Sequence, residues 1–328
     1  MTTSVQSYQN PVFDGYFADP FVWRSGGEYF AVGTGAEEAS GAPGEPGTPS
    51  VFPLLRSRDL LHWQPSGRAL VRPDPALGNT FWAPEVIEHE RRFYLYYSVG
   101  FEDRLHQLRV ASSDSPLGPY RDETALTEVG VCAFAIDPHP FRDVDGRIYL
   151  FHARDFLDGP RPGTALVVHE LETMTRLSSE GRTVLRARCD WQRFMESRPM
   201  YGGVYDWHTL EGPCVVRHEG RYYCFYSGGR WETESYGVDY GVAPHVLGPY
   251  SDEGNESGPR ILRTVPGRVI GPGHNSIVTA PDGITRFLAY HAWDAARTAR
   301  RLCIDRLEFT GAGPRSPGPT YTPQPAPG

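Results

Sequence analysis

The chain has 328 residues, 39% of them hydrophobic and 12% aromatic, enough to bury a large core in one big domain or two ordinary ones. A formal net charge of -8 with no block of Lys or Arg argues against nucleic acid or an anionic membrane surface as partner, and no apolar run is long enough to span a bilayer. Glycine and proline, at 36 and 30 residues, are spread along the whole length, which suits short strands joined by tight turns; with no long helical periodicity, the expected class is all-β.

The first ten residues, Met-Thr-Thr-Ser-Val-Gln-Ser-Tyr-Gln-Asn, lack the basic region and apolar stretch of a secretory signal. The five cysteines (Cys132, Cys189, Cys214, Cys224, Cys303) show no CxxC spacing and mostly sit in strand-like apolar contexts. The expectation is a cytoplasmic protein with buried free thiols.

In chain order, the predicted strands repeat one design, a polar or Gly turn followed by an aromatic-rich alternating run: GGEYFAVGTG at 26–35, ERRFYLYYSVG at 90–100, DGRIYLFHAR at 145–154, EGRYYCFYSGG at 219–229 and DGITRFLAYHAWD at 282–294. Aligned on Tyr29, Tyr94, Tyr149, Tyr223 and Phe287, the copies lie 65, 55, 74 and 64 residues apart. A second element recurs in VASSDSPLGPY (110–120) and GVAPHVLGPY (241–250), read as the outer strand and exit turn of two equivalent units. Repeats of several strands without helices fit propeller blades, although the spacing exceeds the usual blade period of about 40–50 residues. A single five-bladed β-propeller is expected over residues 1–310. The Gly/Pro-rich stretch 37–50 reads as an inserted loop in the first blade, and 311–328, with six prolines, as an extended tail.

Upstream of each anchor aromatic, the preceding strand begins at a polar residue in a Gly/Pro context: Asp19 in ADP, Trp82 to Glu85 in WAPE, Asp137 in IDP, Glu211 in EGP and His274 in GPGHNS. The first strand of a propeller blade lines the central channel, so Asp19, Asp137 and Glu211 are expected to converge on one pocket. Two carboxyl groups flanking an anomeric carbon suffice for glycoside hydrolysis, one as acid and one activating water or attacking, and a third raises the pKa of the acid by like-charge repulsion. Trp23, Trp82, Phe134, Tyr201 and Trp207 are candidate stacking faces for a sugar ring. Asp143 and Asp145 read as turn formers, and Glu102 and Asp103 as solvated charges.

The ordered set YFADPFVWRSGGEYFAVGTG, FWAPEVIEHERRFYLYYS, IDPHPFRDVDGRIYLF, TLEGPCVVRHEGRYYCFYSGG and GPGHNSIV closely resembles glycoside hydrolase family 43, five-bladed propellers that include arabinofuranosidases, arabinanases and β-xylosidases. The resemblance implies an inverting mechanism in which Asp19 is the general base, Glu211 the general acid, and Asp137 the group that orients Glu211 and tunes its pKa, with base and acid about 6.5–9.5 Å apart. It implies that Trp82 lines the substrate pocket. His274 is implied to lie near the central channel and is the candidate metal ligand, associated through water with a structural calcium or other ion; an imidazole merely satisfied by hydrogen bonds is the competing account. Arg301 is the candidate arginine facing the site, with Arg300 competing for that role. No cofactor is required for the chemistry.

The expected activity is release of terminal α-L-arabinofuranosyl residues from oligosaccharides, with β-xylosidase and arabinanase as alternatives on the same scaffold and a non-catalytic carbohydrate-binding propeller as the alternative of another class. Retaining fructosidase-type propellers are disfavoured, because Phe17-Ala18-Asp19-Pro20-Phe21 is not their nucleophile motif. A phosphorylase would want a cluster of basic residues near these motifs to hold phosphate.

Overall fold

Each of the five aromatic-rich runs forms the second strand of an antiparallel sheet. The structure, a computed structural model, describes residues 7–36, 39–42, 45–128, 130, 132–178 and 181–328. Blade 1 runs outward through Ala18–Ser25, Glu28–Thr34, Glu45–Ser57 and Gln64–Val71, and blade 2 through Thr80–His89, Arg92–Phe101, Arg104–Ser113 and Arg121–Ala125. Blade 3 comprises Ala135–Arg142, Ile148–Phe156, Gly163–Thr173 and Arg182–Leu185. Blade 4 comprises Gly203–His218, Arg221–Gly228 and Gly237–Ala243, with isolated pairs at Ser251 and Leu262 along its outer edge. Blade 5 comprises Ile270–Thr279, Arg286–Trp293, Arg300–Thr310 and Gly313–Arg315.

The second strands are apolar on both faces because each sheet packs between two neighbours. Successive side chains alternate: Leu95 and Tyr97 join a core shared with blade 1, while Tyr96 joins one shared with blade 3. Blades 3 and 4 share the cluster holding Phe151 and Tyr226, and blades 4 and 5 the one holding Phe225 and Tyr290. Blades 5 and 1 share the one holding Phe287 and Tyr29. Five apolar clusters joining 1 to 2, 2 to 3, 3 to 4, 4 to 5 and 5 to 1 make a closed ring, the five-bladed β-propeller.

Closure falls to the chain ends. Residues before blade 1 run along the third strand of blade 5, with Val12 N–H donating to Leu302 O (2.9 Å) and Phe17 N–H to Arg300 O (2.8 Å). Ser7–Tyr8 pairs with Gln324–Pro325. Gly313–Arg315, within the proline-rich stretch 311–328, therefore carries the outer strand of blade 5, and Thr320 Oγ1 bonds Asp305 at 2.6 Å. The stretch 37–50, expected to be a loop, contains the strand Ala39–Ala42 paired with Glu45–Ser57; residues 37, 38, 43 and 44 of it lie outside the described residues.

The inner strands share one irregularity. In every blade the register with the second strand advances three residues against two, between Ala18 and Phe21, Trp82 and Glu85, Ile136 and His139, Glu211 and Cys214, and Gly273 and Ser276. This is a β-bulge, and its extra residue takes positive φ: Asp19 (49°), Ala83 (47°), Asp137 (58°), Gly212 (55°) and His274 (51°). Four of the five are followed by Pro, which has no N–H to give to a ladder and is tolerated at a bulge. A non-Gly residue in that region costs about 1–3 kcal/mol. The strained positions are where the polar side chains gather.

Candidate active site

The bulges face a cavity of about 570 Å³ whose wall includes Asp19, Asp137, Glu211, Trp82, His274 and Arg300. Three inner strands thus bring the three expected carboxylates into one pocket. The bulge register adds a distinction: Asp19, Asp137 and His274 occupy the extra-residue position, whereas Glu211 and Trp82 sit one residue earlier.

Asp19 is buried beside three nitrogen-bearing groups. Its Oδ1 lies 3.2 Å from His291 Nδ1, 3.3 Å from Arg300 Nη1 and 3.4 Å from His274 Nδ1. Burial opposes ionisation of Asp19, yet His274, Arg300 and His291 together hold its pKa far below the usual carboxylate range. Arg300 is the permanent cation among them, because burial pushes both imidazoles down, that of His291 to about 4. Asp19 is therefore a carboxylate at any working pH.

Glu211 and Asp137 are pushed the other way. Burial lifts Glu211 to about 7, opposed by the Tyr236 hydroxyl, which donates to Oε1 at 2.6 Å, and reinforced by the charge of Asp19. Asp137 rises well above the ordinary value through burial and the charges of Glu211 and Asp19, although Gly212 N–H donates to its Oδ2 at 2.8 Å. That hydrogen bond fixes the residue directly after Glu211, tying the two carboxyls through the bulge.

The remaining expected residues divide. Trp82 lines the cavity and stacks on His106, with centroids 3.8 Å apart and planes at 18°. Phe134 is not on the wall; it meets His106 edge-on at 5.5 Å and supports Trp82 at one remove. Trp207 is 1% exposed and packs against Tyr201, Tyr205 and Arg198, so it offers no face to a ligand. Trp23 stacks between Phe21 and Phe30. Arg301 is replaced by its neighbour: Arg301 bonds Asp294 at 3.2 Å, while Arg300 donates to the Tyr16 hydroxyl at 2.7 Å and lies over the Trp231 ring at 4.4 Å. Strand alternation sends adjacent residues to opposite faces, so only one of the two could face inward.

His274 Nδ1 sits between Asp19 and Asp137, 4.0 Å from Asp137 Oδ2, and its backbone N–H donates to Ser227 Oγ at 2.7 Å. Calcium takes six to eight oxygen ligands, and among the described residues no group of three or more His, Cys, Asp or Glu could hold a metal ion. The side chains around His274 do not form a protein cage for calcium, and no chemical step is assigned to an ion. All five cysteines are unpaired.

The sequence profile of the glycosyl hydrolases family 43 matches residues 8–313. The chain belongs to glycosyl hydrolase family 43. As a family 43 enzyme it is a glycosidase, hydrolysing glycosidic bonds. It is 30% identical to the β-D-galactofuranosidase xynD of Aspergillus niger over 95% of this chain and 85% of that protein. It is 26% identical to the extracellular exo-α-(1→5)-L-arabinofuranosidase ArbA of Cellvibrio japonicus over 90% of this chain and 84% of that one. Among solved structures, a thermostable family-43 glycoside hydrolase superposes with a TM-score of 0.82 at 30% identity, covering 98% of this chain and 99% of the other. The Cellvibrio cellulosa α-L-arabinanase complexed with arabinohexaose gives 0.70 at 26%, covering 92% and 95%.

Tyr16, Tyr236, His291 and Trp231 join the site without having been singled out from sequence. Tyr16 had a signal, since it lies three residues before Asp19 on the segment that enters the bulge. Tyr236 and Trp231 come from the connection between the second and third strands of blade 4, outside the aromatic-rich run that repeats.

Proposed function

We propose that the protein is an inverting, exo-acting glycosidase that releases terminal α-L-arabinofuranosyl residues from oligosaccharides. The observation that carries the mechanism is the opposed ionisation of two carboxyls in one cavity: Asp19 held as carboxylate, Glu211 lifted to about 7. Such a pair separates base from acid. Asp19 removes a proton from a water that attacks the anomeric carbon, while Glu211 delivers its proton to the departing glycosidic oxygen; the C–O bond to the leaving group breaks as the bond to water forms, with inversion. Asp137 positions Glu211 through Gly212 N–H, while burial and the charge of Asp19 keep the Glu211 proton in place.

The sugar assignment is supported by similarity to ArbA, and a β-D-galactofuranosyl unit is the second reading, favoured by the similarity to xynD across 95% of the chain. β-Xylosidase and arabinanase activities stand behind these. The test is hydrolysis of 4-nitrophenyl α-L-arabinofuranoside, β-D-galactofuranoside and β-D-xyloside by wild type and Glu211→Ala, with the first-formed anomer followed by proton NMR. Inverted arabinose is expected from wild type. Glu211→Ala should lose about 10²–10⁴-fold on a natural disaccharide and much less on the nitrophenyl glycoside, whose leaving group needs no proton. Retained anomer would overturn the mechanism, and turnover of another glycoside alone would reassign the sugar.

A further inference from the structure

The cavity does not stop at the carboxylates. Along blade 1 its wall draws on each successive strand: Asp19 from the inner, Thr34 from the second, Val51 and Phe52 from the third and Arg68 from the outer. With strands spaced about 4.8 Å apart, the outer strand lies roughly 14 Å from the one bearing Asp19. The cavity is therefore a groove running radially out over the edge of blade 1, with cleavage at its inner end and Arg68 at its outer end.

Arg68 is half-buried and, among the described residues, makes no hydrogen bond or ion pair. Burial weakens its protonated form, and among the described residues no carboxylate offsets this. The acidic groups of the wall, Asp19, Asp137 and Glu211, stand at the inner end, and the other wall arginine, Arg300, is engaged by Asp19 and Tyr16. A part-buried arginine on the groove wall with no counter-charge among the described residues presents a free planar fork of donors, a shape matched by a carboxylate accepting two parallel hydrogen bonds.

We propose that Arg68 is a specificity residue for an acidic leaving group, binding the carboxylate of a hexuronic acid unit beyond the cleaved bond. The inference rests on the terminal-arabinofuranosidase reading for the sugar held at the carboxylates, and assigns the saccharide on the other side.

The test compares α-L-arabinofuranosyl-digalacturonate with the same trisaccharide after carboxyl reduction, using the full chain. Wild type is expected to favour the acid by about 10-fold or more in kcat/KM, the scale of a hydrogen-bonded charge pair. In Arg68→Ala the ratio of acid to reduced substrate should fall to near one, and Arg68→Lys, which keeps the charge without the fork, should retain part of it. A wild type that cleaves both at equal rates, or a preference that survives in Arg68→Ala, overturns the assignment. Failure of wild type on both trisaccharides and on 4-nitrophenyl α-L-arabinofuranoside sinks the sugar reading instead. The Arg68 site is then decided by calorimetric titration with digalacturonate and its reduced form: tighter binding of the acid, lost in Arg68→Ala, supports it, and equal binding refutes it.

Discussion

Tyr236 shows how one hydroxyl sets the working range of the site. Its donation to Glu211 Oε1 at 2.6 Å favours the carboxylate and so lowers the pKa that burial has raised. Glu211 acts as an acid only while protonated, so kcat/KM should decline as pH rises through about 7 in wild type. Tyr236→Phe keeps the parallel stack on His291, at 5.9 Å and 7°, but removes the donor. The Glu211 pKa then rises, and the alkaline limb of the pH profile moves to higher pH, measurable with 4-nitrophenyl glycosides only where protonation still limits, and otherwise with a natural oligosaccharide. An unmoved limb would mean that the limb belongs to another group. At this scale the carboxylates were legible because each stands beside Pro or Gly-Pro at the start of a repeat, whereas Tyr236 was not, because it sits in a connection with no repeat to register it. Arg300 against Arg301 was a question of strand phase, and phase is set by which neighbouring blade the strand faces.

Among the elements, the inner-strand bulge explains what the sequence pattern meant. Asp-Pro, Ala-Pro, Asp-Pro, Gly-Pro and His-Asn mark five equivalent bulges, so the Gly/Pro context that marks the start of each inner strand is a device that bends the strand and aims side chains into the channel. The bulge at Gly212 is the sensitive one. A Cβ there would approach the His274 ring to 3.1 Å at a φ of +55°, and the Gly212 N–H is the donor to Asp137. Gly212→Ala should therefore cost about 1–2 kcal/mol from the left-handed backbone, read as a lower urea midpoint, and more from the crowding against His274. Because it displaces the residue after Glu211, kcat should fall further than stability alone accounts for. A variant with normal kcat would show that the Asp137 contact does not position the acid.

For the whole molecule, five similar sheets close on themselves only if the first meets the last, and the polar site straddles that seam. Asp19 and Tyr16 belong to the entry of blade 1; Arg300, His291 and His274 belong to blade 5. The ring order was legible from five ordered repeats, but the seam was not, because residues 7–17 and 311–328 carry no copy of the repeat, and 311–328 reads as an extended tail. Their hydrogen bonds hold the seam. Asn10 does most for its size: Nδ2 donates to Ile304 O at 2.8 Å, and Oδ1 accepts from Ile304 N–H at 2.9 Å. Asn10→Ala leaves the Ile304 N–H on the third strand of blade 5 without its acceptor, at about 1–3 kcal/mol when water cannot reach it, and leaves the Ile304 carbonyl with the Tyr8 hydroxyl at 3.0 Å in place of two donors. The seam should then loosen before the inter-blade cores do, since those cores bury the aromatic strands on both faces. In a urea titration of Asn10→Ala, activity is expected to disappear at lower denaturant than tryptophan fluorescence, because separating blade 1 from blade 5 removes Arg300 from Asp19 while the other four interfaces persist. Coincident loss of both signals, displaced together from wild type, would show instead that the seam opens only when the entire ring unfolds, and that the chain ends contribute to stability without separately guarding the site.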